Sequence, residues 1–239
     1  MKEPIVFVGD PHGDASFIDY VAWRAVKQNV EKIVLLGDVG FYWPDWEEFT
    51  TRYVPGTAKK YDVDIYGIDG NHDNHAMLRH DASDFVEVGE RFYYIPRGHS
   101  WTWGESKFLG IGGAYSVDKD ARVPYVDWWP NEMPDEDDVE RAVEVGPVDI
   151  VVAHEFPLPT MWALPWTLNE GSRGGRGQEA NTMSRLVRHR LNAVWESSQC
   201  HDWIHGHHHK YYTDIIENRR ITGLDCNSTP SKAWAIKEV

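Results

Sequence analysis

An α/β fold built on a parallel sheet is predicted by three features of the sequence. Short, unbroken apolar runs rich in Val and Ile occur at Pro4–Val8, Lys32–Leu36 and Asp64–Ile68. Amphipathic stretches separate them, so the hydrophobic period switches between strand and helix. Each run stops at a similar turn: Gly9-Asp10, Gly37-Asp38 and Asp69-Gly70-Asn71. Strand–helix–strand units favour parallel pairing through right-handed crossovers, and such sheets collect ligands at the carboxyl ends of their strands. The three polar turns are therefore expected to meet at one edge.

The elements follow in order. Pro4–Val8 reads as a buried strand. Asp14 is placed to cap a helix running to about Gln28, with Phe17, Val21 and Ala25 on one face and Ile18 and Ala22 beside it. Lys32–Leu36 is a second strand. Pro44–Tyr53 reads as a helix opened by Pro44, and Asp64–Ile68 as a third strand. Short strands follow at Phe85–Val88, Arg91–Ile95, Ser100–Trp103 and Phe108–Ile111, separated by Gly or charged turns. A helix is expected over Asp135–Val145, capped by Asp135, with an acidic first turn that suits the helix dipole. The acidic run Glu132–Glu140 is taken as its solvated start. Asp149–Ala153 is another buried strand, ending at His154. Glu155–Thr182 carries Pro157, Pro159, Pro165 and the Gly- and Arg-rich run Gly171–Gly177, which predicts a long loop. Arg173 and Arg176 could close over a substrate there, although a solvated loop is the simpler reading. Met183–Trp195 reads as a helix. Trp203-Ile204, Tyr211–Ile216, Arg219–Leu224 and Ala233–Ile236 read as closing strands.

Composition narrows the function. The chain has 239 residues, 41% hydrophobic and 26% charged, which suits a single globular domain spanning residues 1–239. No apolar run approaches the roughly 18 residues of a membrane span, and no signal-like segment is apparent, so a cytoplasmic location is expected. The two cysteines, Cys200 and Cys226, offer neither a disulfide framework nor a thiolate zinc site. A net charge of −14 argues against a grip on long nucleic acid through its backbone. The cluster Arg185, Arg188, His189 and Arg190 is the one feature that keeps such a partner in view.

The residues that carry chemistry sit at the strand ends. They are Asp10-x-His12, Asp38, Asn71-His72-Asp73, His154 and His207-x-His209. Mixed Asp, Asn and His donors suit a borderline divalent cation. An x between two donors lets an extended segment point both to one side. Seven ligands exceed what one ion takes, whereas two ions sharing a carboxylate would use them all. A lone strand-end His or Asp is as well read as a cap or a turn. Five such motifs in order are not.

This ordered set resembles the calcineurin-like metallophosphoesterase superfamily, whose pattern is D-x-H, GD, GNH-D/E, a strand-end His and GH-x-H. The resemblance runs from Asp10 to His209 and implies a four-layer α/β/β/α sandwich with two central mixed sheets. It also implies two divalent metal ions, Mn first, with Fe, Ni, Co or Zn as alternatives. One would be held by Asp10, His12, Asp38 and His209, the other by Asp38, Asn71, His154 and His207, with Asp38 bridging. His72 would face the substrate phosphate, with Asp73 orienting it. Val39-Gly40 follows Gly37-Asp38 in place of an Asp-Arg-Gly extension, and Asp73 stands where a Glu marks other branches. The resemblance thus leans to phosphodiesterases: attack by a metal-bridging hydroxide on small nucleotide diesters, such as cyclic nucleotides or short oligonucleotides. A phosphomonoesterase, a dinucleoside-polyphosphate hydrolase and a non-catalytic metal-binding scaffold are the alternatives. Outside the metal shell, Arg79 and Arg122 are candidates to hold phosphate. Phe41-Tyr42-Trp43 and Trp128-Trp129 could stack on a base, though packing is the commoner role of such residues.

Overall fold

Alternate residues of the first three strands face two different cores. Val6 and Val8 of β1 (Pro4–Val8), and Ile33 and Leu35 of β2 (Lys32–Leu36), pack with Phe17, Val21 and Ala25 of helix α1 (Ala15–Val26). Ile5, Phe7, Val34 and Leu36 point the other way, into a second core shared with another sheet. Burial on both faces is why these strands read as unbroken apolar runs. The computed structural model describes residues 3–44, 46–163 and 177–239.

The first sheet adds β3 (Asp64–Ile68), β4 (Val86–Gly89), β5 (Phe92–Tyr94) and, at the end of the chain, β12 (Trp234–Glu238), in the order β12-β1-β2-β3-β5-β4. Strands β1, β2, β3 and β5 are parallel, and β12 and β4 close the two edges antiparallel. The second sheet repeats the plan with β6 (Ser100–Trp103), β7 (Ser106–Ile111), β8 (Ile150–Ala153), β9 (Asp202–His205), β10 (Tyr212–Ile216) and β11 (Arg219–Gly223). Its order is β10-β11-β9-β8-β7-β6, with four parallel strands between two antiparallel edges. Helices α1 and α2 (Val54–Tyr61) cover the outside of the first sheet. Helices α3 (Glu136–Glu144) and α5 (Gly177–Ser198) cover the outside of the second. The result is the four-layer sandwich with two mixed sheets. Part of the tryptophan content lies between the sheets, where Trp101 stacks on Phe108 with ring centroids 5.2 Å apart and Trp103 meets Tyr66 at 4.7 Å.

The caps are those expected: the Asp14 carboxylate accepts the amides of Ser16 and Phe17, and Asp135 forms a reciprocal box with Asp138. Most boundaries shift by one to three residues, and three departures are larger or of another kind. The helix read over Pro44–Tyr53 is displaced, with a π-helical turn at Phe49–Tyr53 running into α2. Pro55 lies in the first turn of α2, where a missing N–H costs little. The long loop contains a short helix, α4 (Leu158–Ala163), and α5 begins at Gly177 rather than Met183. Arg173 and Arg176 lie outside the described residues.

Candidate metal centre and adjoining pocket

Five parallel strands deliver the polar turns to one place. Asp10 and His12 follow β1, Asp38 follows β2, Asn71 and His72 follow β3, His154 follows β8, and His207 and His209 follow β9. Asp10, His12, Asp38 and His209 each bring a ligand atom within 4.8 Å of the others, and so do Asp38, His154 and His207. Asp38 belongs to both groups. His12 Nε2 lies 3.5 Å from its Oδ2, and His154 Nε2 lies 3.5 Å from its Oδ1, so the two histidines address opposite oxygens of one carboxylate. Asn71 joins the second group, with Oδ1 3.2 Å from His154 Nε2.

The backbone is bent to achieve this. Asp10, His12, Asp38, His207 and His209 all have positive φ, between 32° and 68°, a region non-glycine residues seldom enter. Such strain persists where the surroundings over-determine it, and it clusters at functional sites. Amide donors hold the carboxylates in place: His207 N donates to both oxygens of Asp10 at 3.0 and 2.9 Å, and His72 N to Asp38 Oδ1 at 2.9 Å. Gly70 is required for a steric reason, since a Cβ there would collide with the amide and carboxylate of Asp38. Gly37 combines a φ of 90° with a Cβ position already filled by the His154 ring.

The electrostatics suit a cation. Burial pushes the Asp10 carboxyl up to about 7. Burial would raise Asp38 too, but the facing His72, His154 and His12 hold it well below the usual carboxylate range. Burial works against a charge on His154, but the Asp38 and Asp10 carboxylates raise it to about 10. Burial lowers His207 well below its ordinary value and His209 to about 4, which leaves both imidazoles neutral with lone pairs to offer. Among the described residues no Lys or Arg pairs with Asp10 or Asp38. Two buried carboxylates beside the neutral imidazoles of His207 and His209 fit divalent cations by donor type, and a cation there would take the place of the proton that His154 otherwise holds.

His72 stands at the edge of this cluster. Its Nε2 is 3.8 Å from Asp38 Oδ2 and accepts from Arg122 Nη2 at 3.2 Å. Asp118 grips Arg122 through two hydrogen bonds of 2.9 and 2.8 Å. His72 and Arg122 share a pocket of about 340 Å³ with Trp43, Pro44, Val126, Asp127 and Trp129. Two expectations are corrected here. Asp73 is not spent on His72: its buried carboxylate accepts the amides of Val39, Gly40, Phe41 and Gly70 at 2.8–3.2 Å. It ties the Asp38 turn to the Asn71 turn. Arg79 is exposed and lines no part of this pocket.

A family model described as calcineurin-like phosphoesterase matches residues 3–211. The chain belongs to this family. The match covers most of the sequence and supports a phosphoric ester hydrolase. Solved structures share the fold at low identity. A dimetal phosphatase from Danio rerio, LOC 393393, superposes with a TM-score of 0.63 at 12% identity, covering 99% of this chain and 92% of that one. TT1561 of Thermus thermophilus does so with a TM-score of 0.58 at 10% identity, covering 100% and 99%. No curated protein matches the sequence.

Behind the phosphoesterase cluster lie partners that the sequence did not reveal. Asn71 Nδ2 donates to Ser116 Oγ at 2.9 Å, which turns the amide oxygen toward His154. Ser116 Oγ in turn meets Glu132 Oε2 at 2.5 Å. Glu132 is 1% exposed, and burial pushes it up to about 7. The solvated reading of the run Glu132–Glu140 is therefore wrong for Glu132, and also for Asp138, which is buried against Arg97. On the other flank, buried Glu155 accepts His208 Nε2 at 2.6 Å and Arg188 Nε at 3.1 Å. Its Oε2 lies 3.9 Å from His207 Nε2. Arg188 is thus turned inward, and the basic cluster read around it is not a continuous surface patch. A carboxylate directly following His154 was the available signal.

Proposed function

We propose that the protein is a di-metal phosphodiesterase acting on small nucleotide diesters. The observation that carries this reading is Asp38, shared between two donor groups, with His72 and Arg122 at its open side. Asp10, His12, Asp38 and His209 would hold one cation, and Asp38, Asn71, His154 and His207 the other, with Mn the expected metal and other borderline ions compatible with the donors. Bound there, the pair would acidify a water and neutralise phosphate oxygens as charge builds during displacement. His72, whose Nε2 accepts from Arg122 Nη2 here, would donate a hydrogen bond or proton to the departing oxygen once Arg122 turns to the phosphate. Arg122, oriented by Asp118, takes a non-bridging phosphate oxygen.

Charge supports a diester over a monoester. Among the described residues Arg122 is the one Lys or Arg lining the pocket, and it is already half matched by Asp118. That suits the single negative charge of a diester better than the near-double charge of a monoester.

The test compares an aryl phosphodiester with the matching aryl monoester on protein stripped of metal and reloaded with Mn. Metal-dependent turnover that prefers the diester is expected. Preference for the monoester would overturn the diester assignment. Turnover of neither would overturn hydrolysis of simple esters and leave dinucleoside polyphosphates as the next substrates to assay.

A further inference from the structure

The pocket is lined by His72, whose Nε2 lies 3.8 Å from Asp38 Oδ2, and by Arg122, whose Nη2 lies 3.2 Å from that same Nε2. In an in-line displacement the leaving group departs opposite the attacking water. A pocket lined by His72, the residue that serves the departing oxygen, therefore receives the leaving group, and the retained substituent lies away from it. This rests on the diesterase reading. The lining is chemically divided. Trp43, Pro44, Val126 and Trp129 supply flat or apolar walls, and Arg122 and Asp127 the polar groups. Trp129 is only 2% exposed and forms the back of the pocket, whereas Val126 is 50% exposed at the rim. The volume of about 340 Å³ lies at the small end of the roughly 300–1,000 Å³ of ligand pockets, enough for one ring system. Indole walls stack well on any base, and the Asp127 carboxylate suits an exocyclic amine.

We propose that this pocket binds the nucleobase of the departing nucleoside, with Trp43, Val126 and Trp129 as specificity residues. Water adds to phosphorus as the bond from phosphorus to the nucleoside oxygen breaks. The nucleoside leaves as an alcohol, carrying the proton that His72 supplies. The retained group remains on a phosphate monoester, and the proton lost by water returns through solvent.

The methyl ester of adenosine 5′-monophosphate tests the direction. Cleavage on the nucleoside side yields adenosine and methyl phosphate, whereas cleavage on the methyl side yields adenosine monophosphate and methanol. The wild-type, Mn-loaded protein is expected to release adenosine. Trp43→Ala and the surface variant Val126→Asp should shift the products toward methanol. In parallel, saturation-transfer NMR follows phosphate-free adenosine binding, which both variants should weaken by roughly fivefold or more. Release of methanol by the wild type, or adenosine binding unchanged in both variants, overturns the pocket. Adenosine binding that weakens in the variants, with neither ester bond cleaved, supports the pocket and overturns the diesterase reading instead.

Discussion

Two clusters of carboxylate and histidine lie beyond the carboxyl ends of the parallel strands. Asp69, His75 and His80 bring ligand atoms within 4.8 Å of one another, as the Asp38 groups do. By donor type alone the two are equivalent. Their charges are not. Arg97, 2% exposed, donates Nε and Nη2 to Asp69 Oδ2 at 3.0 and 2.7 Å and reaches Asp138 with Nη1 at 2.9 Å. Tyr94 OH occupies Asp69 Oδ1 at 2.8 Å. That cluster is closed by its own cation. Asp10 and Asp38 have no such partner among the described residues, only histidines. Proximity of donors does not make a metal site. A buried charge balanced only by titratable histidines, whose protons a cation can displace, does.

The largest effect is expected at the open cluster. A chelator should abolish hydrolysis of an aryl phosphodiester while far-ultraviolet circular dichroism stays unchanged, and Mn should restore the activity. His207→Ala should resist that restoration. His72→Ala should keep its metal content and lose about 10²- to 10⁴-fold in kcat. Full activity in both variants would sink the assignment. The closed cluster should respond in the opposite way. Arg97→Met leaves Asp69 buried without its cation, so urea unfolding should report a loss of about 3–5 kcal/mol. Metal content at the Asp38 centre should be unaffected. A variant that unfolds normally but loses metal would show that the two clusters are not separate.

The contrast also explains what could be read from the sequence. Each strand-end ligand is announced locally, by an apolar run that stops at a glycine and a donor, and the parallel topology then brings the turns together. The four layers were legible only through the family resemblance that those turns carry, since the apolar runs by themselves indicate buried parallel strands and not how many sheets they form. Long-range balance was not legible. Arg122 meets His72 across 50 positions, and Arg97 meets Asp138 across 41. Glu132 sits in an acidic run that resembles any solvated helix start, and nothing in the run marks which of its members turn inward. Asp73 has the right residue type to orient His72, but its oxygens accept from four backbone amides. Amides carry no sequence signal.

Glu155 falls between the two clusters and gives the finest test. Like Asp69 it is buried and paired with an arginine, Arg188. Unlike Asp69 it reaches toward a residue of the open centre, His207. Carboxylates behind a ligand histidine set its ring orientation and its basicity, and their loss typically costs about 10–100-fold in metal affinity. Glu155→Gln keeps the size and an acceptor for Arg188 while removing the charge. Equilibrium dialysis with metal analysis should find the affinity reduced by roughly that factor, with kcat at saturating Mn nearly unchanged. A purely structural residue would give another pattern: lower thermal stability of the metal-free protein, with metal affinity intact. That outcome would group Glu155 with Arg97 and confine the metal-binding charge balance to Asp10 and Asp38.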